Sequence, residues 1–139
     1  MRWKPTGGSG GLLAAVALFG ACGGPLEPSD LVGTWGGAHV EVTFDSAGVG
    51  TVQYDCAHGR IASPITLSAN GALQASGEHV REHGGPVHEG DVPETHPARY
   101  AGEVHGDRLT FTVTLIDSTT VLGPYTVYRG EPSQLFRCL

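Results

Sequence analysis

Arg108-Leu-Thr-Phe-Thr-Val-Thr-Leu115 alternates without a break: Leu109, Phe111, Val113 and Leu115 are apolar, and a threonine separates each from the next. A period of two sends successive side chains to opposite faces of an extended chain, so the segment reads as a strand with one buried and one wet face. Val40, Val42 and Phe44 repeat the pattern against His39, Glu41 and Thr43. From Leu31 onward no stretch sustains the 3.6-residue period of a helix.

Turn signals separate these runs at the spacing of a meander. Asp45-Ser-Ala-Gly48 joins an expected strand at 38–44 to one at 49–56, Asn70-Gly71 joins 64–69 to 72–81, and Gly106-Asp107 joins 98–105 to 108–116. Asn-Gly is the strongest signal, because a type I′ turn needs positive φ at both central residues. Further strands are expected at 32–36, 124–129 and 134–138. The expected fold is therefore all-β, a small antiparallel up-and-down barrel or a sandwich of about eight strands, since either form manages the sheet edges. Small residues on the inner face, among them Ala75, Gly77 and Gly102, leave room for an interior cavity.

The charge balance removes one class of partner. Beyond Lys4 the chain has six arginines, no lysine and 14 carboxylates, a net charge of about −8. Such a surface repels phosphate backbones, so no nucleic-acid partner is expected. A monomer is expected.

Residues 1–22 run from basic Arg2 and Lys4 through a Gly/Ser-rich spacer to the apolar stretch Leu12 to Phe19, then Gly20-Ala21-Cys22. This is the layout of an export signal. An apolar run of that length spans ~12 Å as a helix, against ~30 Å of hydrocarbon in a bilayer. Phe19-Gly20-Ala21-Cys22 resembles the lipobox of bacterial lipoproteins, with Phe19 where that family usually has Leu. The resemblance implies a signal peptide over 1–21, diacylation of Cys22 and attachment to a lipid bilayer. Gly23 in place of Asp implies the outer membrane if the host has one. Residues 22–30 then form a flexible tether and 31–139 the β-domain. With Cys22 as anchor, Cys56 and Cys138 remain as an even pair, for which export makes a disulfide the default and two buried thiols the alternative.

Gly33-Thr34-Trp35, at the start of the first expected strand, resembles the Gly-x-Trp signature of the calycin group: lipocalins, avidins and bacterial metalloprotease inhibitors. The resemblance implies a barrel closed at one end by Gly33 and Trp35, with an arginine of the last strand over the indole. Arg129 and Arg137 both qualify. Tyr54-Asp-Cys56-Ala-His-Gly59 is similar to the Tyr-x-Cys-x-x-Gly motif of periplasmic lysozyme inhibitors, although their Ser-Gly-x-x-Tyr element has no counterpart here. The stretches Arg81-Glu-His-Gly-Gly-Pro, His96-Pro-Ala-Arg-Tyr100 and Leu135-Phe-Arg-Cys-Leu139 resemble uncharacterised exported bacterial proteins.

The long connection 82–97 is the remaining feature. Loops of that length in compact domains are usually functional or disordered. Histidines 79, 83, 88, 96 and 105 fall in or beside it with Glu82, Glu89, Asp91 and Glu94. Imidazole suits Zn²⁺ and other divalent transition metals, so His83, His88 and His96 form a candidate metal site. A pH-responsive loop and a merely solvated one fit the same composition. No nucleophile elbow, phosphate loop or dinucleotide fingerprint is present, and no catalytic residue or organic cofactor is expected. The functional expectation is a membrane-anchored extracytoplasmic module that binds a small molecule, a metal or a protein. The competing expectation is a periplasmic inhibitor, lysozyme- or protease-inhibitor-like, that docks on an exogenous enzyme.

Overall fold

The structure is a computed structural model that describes residues 2–5, 7 and 24–139. Cys22 and the apolar run before it lie outside the described residues. A 3-10 turn, Pro28–Leu31, precedes nine strands: β1 Gly33–Gly37, β2 Val40–Phe44, β3 Gly50–Tyr54, β4 Ala57–Ile61, β5 Thr66–Leu67, β6 Ala72–Arg81, β7 Glu94–His105, β8 Arg108–Leu115 and β9 Val121–Arg129. Among the described residues the first regular element thus begins at Pro28, inside the stretch expected to be tether.

Neighbouring strands pair antiparallel in chain order, β4 pairs with β6, and β9 returns to β1. The sheet is a closed up-and-down barrel of eight lanes, and closure leaves no free edge. β5 completes the β4 lane: β4 lies along Gly77 to Arg81 of β6, and β5 along Leu73 and Gln74.

Four strand expectations are corrected. Residues 57–61 form β4, missed because its inward positions, Ala57, Gly59 and Ile61, include small residues that give a weak apolar alternation. β7 starts at Glu94 rather than at 98, which shortens the long loop to 82–93. β9 starts at Val121 because a one-residue bulge lets the strand continue through Gly123-Pro124, so Leu122 and Tyr125 pair with Val113 and Phe111. Residues 134–138 form no strand. Ala38 and Gln134 make a single parallel bridge, and the tail is then drawn away to a disulfide at Cys138.

One end of the barrel is closed. Trp35 is fully buried and its Nε1–H donates to the Leu31 carbonyl at 2.8 Å. The Arg129 guanidinium lies 4.2 Å from the Trp35 ring centroid and donates to the carbonyls of Val32 and Asp30 and to Asp107 Oδ1. Arg129, not Arg137, therefore fills the position over the indole.

The middle of the barrel is packed with side chains, so the small residues Ala75, Gly77 and Gly102, which left a cavity open as an option, do not enclose one there. Tyr100 is fully buried, and a Cβ on Gly77 would sit 3.0 Å from its ring, while one on Gly59 would collide with its hydroxyl. A Cβ on Gly102 would lie 2.7 Å from that of Phe111. The glycines admit these side chains and the close approach of neighbouring backbone, Arg60 O at Gly77 and Thr110 O at Gly102, rather than a ligand.

Candidate functional site

At the opposite end the interior opens into a cup of about 370 Å³. Strand alternation builds its walls. The inward series of β6 runs Leu73, Ala75, Gly77, His79, so His79 enters the barrel on the apolar face and is only 4% exposed. β3 ends on inward Tyr54, and β4 begins on inward Ala57. β9 adds Tyr125 and, through its bulge, Leu122. The cup is lined with rings: Tyr54 lies 5.1 Å from Tyr125 and 5.2 Å from His79, and Tyr125 lies 5.4 Å from Phe111 below.

The Tyr54 hydroxyl and His79 Nδ1 are sealed from solvent within these walls and make no full-geometry hydrogen bond, the Tyr54 hydroxyl lying beside that of Tyr100. Leaving such a group buried and unmade costs ~1–3 kcal/mol, so native structures rarely tolerate it without a reason. Burial sets the ionisation of both. It pushes the Tyr54 phenol far up, aided by the neighbouring Tyr100 and Tyr125 phenols. It pushes His79 down from 6.5, aided by the positive charges of Arg81, His96 and His58. Near neutral pH both groups are therefore uncharged. Tyr100, also raised by burial, to about 12, is satisfied by donating to the Glu78 carbonyl at 2.7 Å.

Charged groups around the mouth are already paired. Arg81 lies 3.7 Å from Glu94, and His96 is held between Glu94 at 3.0 Å and Asp117 at 2.7 Å. Those carboxylates raise the His96 pKa. Glu82 takes His58 at 2.8 Å. Asp55 accepts the Phe136 amide at 2.8 Å and His39 at 2.7 Å, and these bonds, the amide first, lower its pKa.

The residues expected from sequence are distributed differently. Cys56 and Cys138 form a disulfide with Cα atoms 5.2 Å apart, which staples the tail beside the cup. His83 lies in the loop 82–93, as does His88, both exposed, whereas His96 stands on β7 directly opposite His79 and is engaged by carboxylates. The structure does not gather His83, His88 and His96. Among the described residues, no three His, Cys, Asp or Glu side chains are grouped to hold a metal ion. Arg137 lines an adjoining hollow of about 410 Å³ with Glu41 and Gln53, which shares Tyr54, Asp55 and Glu82 with the cup. Leu122 and Tyr125 were not singled out from sequence, Tyr54 was read only as part of a motif, and His79 only as one of the histidines beside the long loop. The readable signal was His79, a polar residue in register with Leu73 and Ala75. No family model, curated protein or solved structure matches this chain.

Proposed function

We propose that the protein is an extracytoplasmic, lipid-anchored binding module that takes a small molecule into the open mouth of its barrel. The observation that carries this reading is the cup of about 370 Å³, lined by Tyr54, His79, Leu122 and Tyr125, at the open end of a barrel whose other end is closed. The cup lies at the small end of the ~300–1,000 Å³ usual for ligand sites.

The anchor fits the same reading. The chain enters through the 3-10 turn at the closed end, so a lipid on Cys22 would hold that end towards the bilayer and present the mouth to the aqueous side. Labelling by a radioactive fatty acid, lost in Cys22→Ser, tests the anchor; no label in the unaltered protein refutes it. The binding reading is tested by a thermal-shift screen of small compounds. Stabilising compounds should lose their effect in Leu122→Trp, which fills the cup. Compounds that stabilise both proteins equally, or an empty screen, contradict it.

Exposed Val87 and Val92 on the loop 82–93, with Phe136 on the tail, favour a second reading, an inhibitor that docks on an exogenous enzyme through the rim. Val87→Asp and Val92→Asp should abolish such docking and leave small-molecule binding intact.

A further inference from the structure

We propose that the loop 82–93 docks a cationic amphipathic segment of another protein, seating an aliphatic side chain against Val87 and Val92 while a lysine or arginine beside it meets Glu82 and Asp91. The inference rests on the reading of the rim as a protein-docking surface and specifies the chemistry of the partner.

The loop is built to hold two valines out. In the turn His88-Glu-Gly-Asp91, the Asp91 amide donates to the His88 carbonyl at 3.1 Å and the Asp91 carboxylate accepts the His88 amide at 2.7 Å. Gly90, at φ +95°, supplies the positive φ that suits the third position of a type II turn. The root of the loop is fixed as well: the Glu82 amide donates to the Cys56 carbonyl at 2.9 Å, and Gly84 lies so close to the Leu139 carbonyl that a Cβ would not fit. Val87 and Val92 flank the turn and are 83% and 87% exposed. With outward-facing Val80 of β6 and Pro93 they line a hollow of about 180 Å³ on the outside of the barrel. That is below the ~300–1,000 Å³ usual for small-molecule sites and leaves room for one inserted side chain. Apolar side chains held out by an ordered turn gain by being covered.

Charge selects the partner. From residue 82 to 98 the fixed charges are Glu82, Glu89, Asp91 and Glu94, with no arginine or lysine. Arg81, which also lines the hollow, is faced by Glu94 at 3.7 Å. Glu82 and Asp91 line the hollow too, and among the described residues each keeps one carboxylate oxygen uncommitted: Glu82 meets His58 through Oε1, and Asp91 meets the His88 amide through Oδ2. A lysine or arginine next to the seated side chain therefore finds acceptors at the rim of an apolar hollow. The chain as a whole, at about −8 beyond Lys4, draws a cationic partner from a distance. The same charges repel an acidic partner and an anionic membrane surface.

A matched set of labelled peptides tests this by fluorescence anisotropy at about 0.15 M salt, each a repeat of one tripeptide: Lys-Leu-Ser, Ser-Leu-Ser, Glu-Leu-Ser or Lys-Ser-Ser. The Lys-Leu-Ser peptide should bind about tenfold tighter than each of the other three. Val87→Ser and Val92→Ser should each weaken it by about threefold or more, and Glu82→Gln by about threefold. If Ser-Leu-Ser or Glu-Leu-Ser binds as tightly, the charge assignment is wrong and the rim remains a docking surface. If Lys-Ser-Ser binds as tightly, the acidic chain attracts cations diffusely and the hollow is no site. If Val87→Ser and Val92→Ser bind Lys-Leu-Ser as the unaltered protein does, or no peptide binds saturably, the docking reading of the rim falls as well. Valine-dependent binding to phosphatidylcholine vesicles in place of the peptides assigns the face to a bilayer and overturns the proposal.

Discussion

Tyr54 and His79 stand on different strands with ring centroids 5.2 Å apart, and each keeps a buried polar atom that makes no full-geometry hydrogen bond. A site that stores unmet hydrogen bonds should gain stability when one is removed. Tyr54→Phe deletes the buried hydroxyl and preserves the ring, so the protein should become more stable by about 1 kcal/mol. Denaturant unfolding of both proteins checks this. A variant destabilised by a similar amount would mean that the hydroxyl is satisfied in solution.

The two histidines that face each other at the mouth should respond to pH with opposite signs. His79 has a folded-state pKa below 6.5, so its contribution is fully present above that value and is lost as pH falls through the lowered pKa. His96 has a raised pKa, so its contribution is fully present below 6.5 and fades as pH rises through the raised value. Urea unfolding between pH 5 and 8 should show His79→Phe gaining relative to the unaltered protein towards acid. His96→Asn should lose relative to it over the same range. Parallel curves for all three proteins would contradict both shifts.

The barrel was legible in the sequence because its strands alternate cleanly. Leu109 to Leu115 and Val40 to Phe44 hold their burial patterns as read. β4 was hidden because Gly59 faces inward to admit Tyr100, and a strand whose apolar face includes a glycine loses its alternation. The site was hidden for a different reason. Tyr54, His79 and Tyr125 lie on three strands far apart in the chain, and barrel closure, not spacing, unites them. The histidine-rich loop drew attention through local density, yet His96 belongs to a strand, and its carboxylate partner Asp117 lies beyond the next hairpin.

Arg129 and Arg137 should separate sharply on substitution. Arg129→Ala removes the cation over Trp35 and the donors to the carbonyls of Val32 and Asp30, a loss of about 2 kcal/mol or more. Arg137→Ala should stay within about 0.5 kcal/mol, as for most surface changes. Equal effects in thermal or denaturant unfolding would remove the special role of Arg129 at the closed end.

The Cys56–Cys138 bridge closes a loop with a sequence separation of 82. In the chain-entropy model that adds about 4.5 kcal/mol, a large part of the ~5–15 kcal/mol typical of a domain. A Cys56→Ser, Cys138→Ser double variant should unfold at markedly lower denaturant and release the tail, seen as faster proteolysis after Gln134. Unchanged unfolding would show that the Gln134 bridge and the Asp55 bond to the Phe136 amide suffice to hold it.

A crystal structure of the protein with a stabilising compound from the thermal-shift screen bound examines the central claim most directly. The expected result places the compound in the cup, against Leu122 and Tyr125. The contradicting result places it elsewhere on the protein, with the cup unfilled.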